Sequence, residues 1–395
     1  MISSAIRWFL AIVITLVIPV ATGCGGGSGG GGPDESPRTE VEIQPLPENT
    51  FLFMRKIDDH IDHLYLYDLD SRSEQLVTDF DNESVSRFDY SISPDRRWVV
   101  FRALAFRLDE ADAQAILQEH LWKVGVDGRQ FVRLTFPIMP MDESCPFDQP
   151  ACERERTDPI FSRDGSMIYY SLGEWWQPNS TFCTSDSDCG GMANCINHYC
   201  RGFQAEGGSV LARISSQGEG TDKTLPQEAC SVAGTPTLSH SGKLLLYENS
   251  VCFNGKNGLY MRKEPFEESD SDFIIKHDSY YPVVWTKDDS GFYYDDFVQF
   301  DDDQDGRSET HGDCLYIYNF ESGESKLLLR PPAGAGQDNN RFNIWGFSPS
   351  ADQSNIVLSI ENPKDSMNLY LLDLETNTLE QLTFTDDAWS PIWFP

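Results

Sequence analysis

An acidic stretch in the second half of the chain has the residue types of a calcium-binding loop. Aspartate occupies alternate positions at the start of the run 301–309, and Gly306 stands where such a loop turns sharply. Ca²⁺ takes about six to eight oxygen ligands, which a curved acidic loop supplies. The twelfth position is Gly312 where an EF-hand loop has Glu, so Glu309 or Asp313 would complete the shell. The predicted ligands of a structural Ca²⁺ ion are Asp301, Asp303, Asp305 and Glu309. A solvated acidic hairpin is the alternative.

Cysteine is concentrated in the polar segment 175–203. In an oxidising compartment this density is typical of disulfides that hold a module too small to bury a core. Zinc is an alternative, but the spacing lacks the C-x-x-C pattern of a zinc knuckle. The residues predicted to form disulfides, here and elsewhere in the chain, are Cys145, Cys152, Cys183, Cys189, Cys195, Cys200, Cys230 and Cys252.

Motifs for catalysis are weak in this sequence. The segment 207–211 has Leu211 where the G-x-S-x-G motif of a serine hydrolase requires Gly. Cys314, predicted to be unpaired, would need a His base to act as a nucleophile, and His311 is interpreted as a solvated loop residue. The cluster 60–63 contains two histidines and is interpreted as a solvated turn, with a metal pair as the alternative.

The N-terminus predicts export and a lipid anchor. Arg7 precedes an apolar run over residues 8–20 that is short for a membrane-spanning helix and typical of a signal peptide. The run 21–24, Ala-Thr-Gly-Cys, resembles the lipobox of bacterial lipoproteins. This resemblance implies a signal peptide over 1–23 and lipidation of Cys24. The Gly-rich residues that follow predict a flexible tether over 24–49.

The charge of the chain excludes one class of function. Asp and Glu number 63 against 30 Lys and Arg, which gives a formal net charge of -33. Nucleic acids and anionic lipids are bound through Lys and Arg contacts to phosphate. We therefore expect no nucleic-acid partner, and contact with the membrane through the lipid anchor alone.

Two phrases repeat along the body of the chain and define its elements. The first is a polar turn followed by an apolar strand, as in Ser93-Pro94-Asp95 before Trp98–Phe101. The second is a strand, a polar turn and another strand, as in Leu64–Asp68 before Gln75–Val77. Together they predict a four-stranded antiparallel sheet, which is one propeller blade. Further copies of the first phrase start at Ser162, Ser239, Lys287, Ser348 and Trp389.

The order of the phrases predicts how the ring closes. The body opens with a copy of the strand–turn–strand phrase and ends with a copy of the turn–strand phrase. Six complete blades therefore require that the C-terminal strand pairs with the N-terminal blade. We therefore predict an all-β, six-bladed β-propeller closed in this way, with a small cysteine-rich insertion over 175–203. The aromatic residues Trp175, Trp176, Tyr280 and Tyr281 are interpreted as packing residues, and stacking on a sugar is the alternative.

These repeats resemble those of the TolB-type propeller family over residues 50–395. The resemblance implies a fold shared by envelope binding proteins, peptidase propellers and lyases, so it predicts no single function. The primary hypothesis is a non-catalytic lipoprotein, expected at the outer membrane, whose propeller is a scaffold for an envelope protein or glycan. The alternative is a glycan-directed lyase or hydrolase with its site in the propeller channel.

Overall fold

The computed structural model describes much of the chain from residue 42 onward. The described residues are 42–57, 62–78, 85–104, 119–135, 153–176, 193–196, 199–202, 206–218, 223–226, 231–251, 257–267, 271–277, 283–301, 308, 310–332, 335, 342–362 and 366–393. The regular elements in these ranges are all β-strands, and no helix there is long and apolar enough to cross a bilayer. The predicted signal peptide lies outside these ranges.

The strands of the described residues form six four-stranded antiparallel sheets and one two-stranded hairpin. The first three sheets use the strands β1 (Thr50–Lys56), β2 (Asp62–Asp68), β3 (Ser73–Leu76), β4 (Val85–Ile92), β5 (Trp98–Leu104), β6 (Glu119–Gly125), β7 (Val132–Arg133), β8 (Glu153–Phe161) and β9 (Met167–Trp176). A separate hairpin follows, with β10 (Ala193–Ile196) and β11 (Tyr199–Gly202), and the third sheet is completed by β12 (Glu206–Ser215) and β13 (Lys223–Thr224).

The remaining three sheets repeat the same order of strands. Their strands are β14 (Ser231–Leu238), β15 (Leu244–Val251), β16 (Gly258–Lys263), β17 (Asp272–Ile275), β18 (Val284–Trp285), β19 (Gly291–Phe300), β20 (Thr310–Asn319), β21 (Glu324–Leu329), β22 (Asn343–Pro349), β23 (Asn355–Asn362), β24 (Ser366–Asp373) and β25 (Thr378–Gln381). The last strand of the chain is β26 (Ala388–Trp393). We number the blades 1 to 6 from β1. The prediction of an all-β, six-bladed propeller is confirmed.

The C-terminal strand belongs to the first blade. β26 pairs antiparallel with β1, with Phe51 opposite Trp393 and Arg55 opposite Ala388, and the order in this sheet is β26-β1-β2-β3. Blade 1 therefore takes its first strand from the end of the chain and the other three from the start of the propeller.

The hydrophobic core is divided among the junctions between blades. Each of six buried clusters joins two neighbouring blades. One of them packs Phe51 and Phe53 of blade 1 against Val357 and Leu369 of blade 6. Because burial of apolar surface is the main stabilising term in folding, the blades hold one another in the ring.

The repeated Ser-x-Asp turns have a common hydrogen-bond pattern. In blade 6 the Ser350 hydroxyl donates to Asp352 Oδ1 at 2.6 Å, and the backbone N–H of Ser354 donates to the same oxygen at 3.1 Å. These hydrogen bonds lower the pKa of Asp352 to about 2. The same Ser–Asp bond occurs at Ser93 and Ser162. The polar phrase therefore fixes the turn between the first two strands of a blade.

A second recurring contact explains the Thr that follows the outer strand. The Thr78 hydroxyl accepts the backbone N–H of Leu64 at 2.9 Å, Thr135 accepts that of Leu121, and Thr383 accepts that of Leu369. All three threonines are buried. Each supplies a partner for a backbone donor on the third strand of its blade, which would otherwise be buried without one.

The two ends of the ring carry different connections. Turns between the first and second strands, such as 162–166, and between the third and fourth, such as 320–323, leave from one end, which we call the turn face. Links between the second and third strands, and between blades, leave from the other end, the loop face. These links include 105–118, 134–152, 177–205 and 330–342, so the longest insertions all depart from the loop face.

Candidate functional site

The innermost strands of the six blades surround a central cavity of about 240 Å³. The innermost strand is an edge strand of each sheet. One edge of its backbone therefore faces the axis of the ring without a neighbouring strand. The walls are mainly apolar, and each blade contributes. Representative lining residues are Ile92, Ile160, Leu238, Val283, Phe347 and Ile392.

A bulge interrupts several inner strands at the same position. Asp158, Thr235 and Ser390 have φ values of 53°, 45° and 45°, and a proline follows each of them. Gly346 holds the same place in blade 6, at φ 133°. A β-branched residue such as Thr235 rarely adopts positive φ. The bulges bring Asp158, Thr235 and Ser390 to the wall of the cavity.

Polar contacts continue outward from this wall through blade 4. The backbone N–H of Thr235 donates to Asp158 Oδ2 at 3.4 Å, and the Thr235 hydroxyl donates to Glu248 Oε2 at 3.1 Å. Glu248 Oε1 in turn accepts Nδ1–H of His277 at 2.9 Å. A carboxylate of blade 3 is thus connected to a buried imidazole between blades 4 and 5.

His277 has an unusual environment for a histidine. Its side chain is fully buried, and Nε2 has no hydrogen-bond partner within the described residues. Burial alone would lower the pKa of His277, but the hydrogen bond that it donates to Glu248 and the charges of Glu248, Asp295 and Asp296 raise it. The ring also contacts Tyr294, with ring centroids 6.0 Å apart. The pair is a carboxylate–imidazole contact whose carboxylate also accepts the Thr235 hydroxyl.

A second acidic cluster lies at the junction of blades 5 and 6. Asp313 Oδ2 accepts the backbone N–H of Ile344 at 2.8 Å. Glu361 Oε2 accepts Asn343 Nδ2 at 2.6 Å and Trp345 Nε1 at 2.9 Å. Burial raises the pKa of Asp313 to about 6, and the charges of Asp296 and Glu361 add to this shift. Within the described ranges, no group of three or more His, Cys, Asp and Glu side chains has the geometry of a metal site.

The opposite end of the cavity opens on the turn face. Pro94, Arg163 and His240 come from consecutive blades and line this opening. The backbone N–H of His240 donates to Asp289 Oδ1 at 2.7 Å, which fixes the turn of blade 4 against blade 5. Burial lowers the pKa of His240, and the positive charges of Arg163 and Lys287 add to the effect.

The described structure includes few of the site residues predicted from sequence. Asp301 is exposed, directly after β19, whereas Asp303, Asp305 and Glu309 lie outside the described residues. Cys195 and Cys200 are direct Cα partners across the β10–β11 hairpin. The predicted disulfide residues outside the described ranges, together with the predicted lipidation site, are Cys24, Cys145, Cys152, Cys183, Cys189, Cys230 and Cys252. The calcium site, the lipidation and the disulfides therefore stay predictions.

Cys314 lies in β20, and its thiol is free, as predicted from the sequence. The thiol is also buried. Burial raises the pKa of this thiol to about 11. A thiol that is protonated at neutral pH is a poor nucleophile, which disfavours a catalytic role.

Two histidine interpretations are wrong for the residues that the structure describes, whereas His60 of the cluster 60–63 lies outside them. His63 is a buried residue of β2, opposite Arg55, and is not part of a solvated turn. His311 belongs to β20, where its backbone N–H donates to the carbonyl of Ala335. In both cases the strand begins earlier than the polar sequence indicates.

Sequence reasoning missed the residues that structure brings to the channel. Asp158 of blade 3 and Thr235 of blade 4 line the channel and meet because neighbouring inner strands approach one another around the ring. Glu248 and His277 extend this contact outward within blade 4. The only signal in the sequence was the recurrence of a polar residue before proline at 158, 235 and 390.

Comparison with known proteins identifies the fold and goes no further. No family model matches the sequence, and no curated protein matches it either. Among solved structures, TolB from Acinetobacter baumannii is similar with a TM-score of 0.51 and 10% identity over 87% of this chain and 66% of that one. Hydrazine synthase from Kuenenia stuttgartiensis has a TM-score of 0.52 and 12% identity over 88% of this chain and 46% of that one.

A third similar solved structure is an oligogalacturonate lyase in complex with manganese. Its TM-score is 0.47, with 13% identity over 87% of this chain and 79% of that one. This chain thus spans 66% and 46% of the TolB and hydrazine synthase chains. At these identities the likeness shows a TolB-like propeller fold alone.

Proposed function

We propose that this protein is a non-catalytic envelope lipoprotein whose propeller binds a partner protein through its loop face. The observation that carries the proposal is the one-sided placement of the long connections. Surface loops on a rigid scaffold are where binding residues concentrate. The ring supplies that scaffold, because its blades are joined by buried clusters on every side.

Exposed apolar side chains on the loop face favour a protein partner. Phe384 is 75% exposed in the link from blade 6 to blade 1, Ile57 is 48% exposed after β1, and Phe297 is 53% exposed near the end of β19. Aromatic side chains are enriched in the centres of protein interfaces. A glycan partner would also stack on Phe, and photocrosslinking distinguishes a protein partner from a glycan.

The envelope location rests on the N-terminal sequence. Lipidation of Cys24 would anchor the chain, and residues 25–42 would connect it to the propeller, since Ile43 and Leu46 are buried against blades 1 and 2. In this proposal disulfides and a Ca²⁺ ion held by Asp301, Asp303, Asp305 and Glu309 stiffen the loop face. Metabolic labelling with an azido fatty acid should mark the wild-type protein, and Cys24→Ser should abolish both the label and the membrane fraction.

Site-specific photocrosslinking in the native cell tests the binding face. p-Benzoylphenylalanine would replace Phe384 or Phe297 on the loop face, and Phe131 as the matched control. Phe131 is 39% exposed, stands on the turn face and is an aromatic residue of the same type. We expect one protein to be captured from both loop-face positions and not from position 131, and the purified partner to bind less tightly to Phe384→Ser.

Three outcomes would contradict the proposal. Equal capture from position 131 would remove the preference for the loop face. Recovery of polysaccharide fragments alone would exclude a protein partner and favour the glycan alternative. Cleavage of a purified envelope glycan by the wild-type protein, with release of unsaturated or reducing ends, would show that the protein is an enzyme.

A further inference from the structure

The central cavity has the size and lining of a small-molecule site. It measures about 240 Å³ and is lined mainly by apolar side chains from all six blades. For comparison, a dry apolar cavity of about 150 Å³ is large enough to bind benzene. A tail of about eight carbon atoms therefore fits the volume, and its transfer from water is favourable.

A cation stands where this cavity opens on the turn face. Arg163 lines the cavity and is exposed at its mouth. Within the described part of the chain its guanidinium forms no hydrogen bond or ion pair, in a protein whose formal charge is -33. Lys287, on the neighbouring turn of blade 5, is also exposed and adds positive charge near His240. The negative charge nearest His240 is Asp289, whose oxygens accept the backbone N–H groups of His240 and Ser241.

The deeper wall carries the opposite charge. Asp158 lines the cavity at the bulge of blade 3, on the side toward the loop face. A negatively charged group would face a carboxylate at Asp158, whereas at the mouth it would face Arg163. The charges favour one orientation, with the apolar part inside and the anion at Arg163.

We propose that the cavity binds a small amphiphilic carboxylate, with its tail between the inner strands and its carboxylate on Arg163. This site is on the face opposite the proposed protein-binding surface, so it goes beyond the proposed function and does not depend on it. The planar guanidinium suits a carboxylate because it can donate two parallel hydrogen bonds.

Titration calorimetry with octanoate tests the proposal on the full chain. Wild type should bind octanoate in an equimolar ratio, and Arg163→Gln should weaken binding by about tenfold, the loss typical of one charge-assisted contact at a partly exposed site. Arg163→Glu should weaken binding further. Arg129→Gln is the matched control, because Arg129 is also on the turn face, is 65% exposed and does not line the cavity.

Head-group analogues separate the contribution of charge from that of the tail. Octanol should bind more weakly than octanoate, with an affinity that is the same in wild type and Arg163→Gln. Octylamine should bind most weakly to wild type. The proposal is overturned if octanoate does not bind at millimolar concentration, if Arg163→Gln leaves its affinity unchanged, or if octylamine binds as tightly as octanoate. These results leave the photocrosslinking outcome unaffected.

Discussion

Arg55 Nε donates to Asp387 Oδ1 at 3.1 Å, joining the first blade to the link that brings the chain back to it. The guanidinium also bonds Glu74 on the outer strand of blade 1 and donates to the Thr385 hydroxyl at 3.0 Å. Its side chain is only 12% exposed. One residue therefore ties three segments together where the two ends of the propeller meet.

Loss of this contact should destabilise the whole ring. We expect Arg55→Gln to lower the free energy of unfolding by about 2 kcal/mol, since several charge-assisted hydrogen bonds are lost from a mostly buried group. Chemical denaturation would measure the change. A double-mutant cycle with Asp387→Asn should give a coupling of about 1 kcal/mol.

The exposed pair Arg72–Glu380 is the matched control, because it also joins blades 1 and 6. Its side chains are 50% and 57% exposed at 3.0 Å separation. Arg72→Gln should cost less than about 0.5 kcal/mol, as surface ion pairs do. Equal effects at Arg55 and Arg72 would show that burial of the pair is unimportant.

Thr78 provides a test of the recurring hydroxyl contact. Thr78→Val preserves shape but leaves the buried backbone N–H of Leu64 without the acceptor that it has at 2.9 Å. We expect a loss of about 1 to 2 kcal/mol in unfolding free energy. Thr78→Ser keeps the acceptor and should lose less than half as much. If Ser and Val variants were equally destabilised, packing of the methyl group would explain the contact better than the hydrogen bond.

Asp313→Asn should stabilise the protein at high pH. The pKa of Asp313 is raised from 3.8 to about 6 in the folded state, so the wild type loses stability as pH rises through this interval. The neutral amide can still accept the N–H of Ile344. The gain should approach at most about 3 kcal/mol at pH 8 and fall to about half of that at pH 5. Urea unfolding at both pH values would measure it.

Asp272→Asn is the control for this pH profile, because Asp272 is 68% exposed. It should change stability little, and similarly at the two pH values. A loss of stability in Asp313→Asn that is the same at pH 5 and pH 8 would mean that the carboxylate is needed for its hydrogen bond alone.

His277 should contribute stability that is lost at alkaline pH. Its pKa is raised in the fold by Glu248, Asp295 and Asp296, so the contribution is complete below about pH 6.5, the ordinary value for histidine, and disappears as pH rises through the raised pKa. His277→Gln should therefore be most destabilising near pH 6 and less so at pH 9. Ring-proton NMR should place the His277 pKa above that of an unperturbed histidine.

His240→Gln serves as the comparison, because its effect on the free energy of unfolding should depend on pH in the opposite direction to that of His277→Gln. Burial and nearby cations lower the pKa of His240, so protonation favours the unfolded chain and the wild type loses stability toward acid pH. The free energy of unfolding of the wild type, relative to that of His240→Gln, should therefore increase from pH 6 to pH 9. Parallel profiles for the two variants would contradict the proposed environments.

The sequence predicted the blades because each blade is determined by local chemistry. Ser350 and Asp352 form their turn within a few residues, and a period-two apolar pattern places the strands around it. The contacts of the channel could not be predicted in the same way. Thr235 and Asp158 are 77 residues apart and lie in neighbouring blades, so their approach depends on the rotation between blades. Glu248 and His277 are 29 residues apart and meet through the strand pairing of blade 4. His63 was misjudged because β2 begins at Asp62, so this polar residue lies within the sheet, opposite Arg55.

The shared first blade has a consequence for how the polypeptide can be rearranged. Trp393 Nε1 donates to the carbonyl of Glu48 at 3.1 Å, so the two ends of the propeller are neighbours at the position where the other blades have a turn. A short linker from residue 393 to residue 49 would supply that missing turn, and new termini could then be opened within 136–144, in the link between blades 2 and 3. Such a circular permutant would carry every blade on consecutive strands, and its refolding rate would report directly on the entropy of joining the first and last strands.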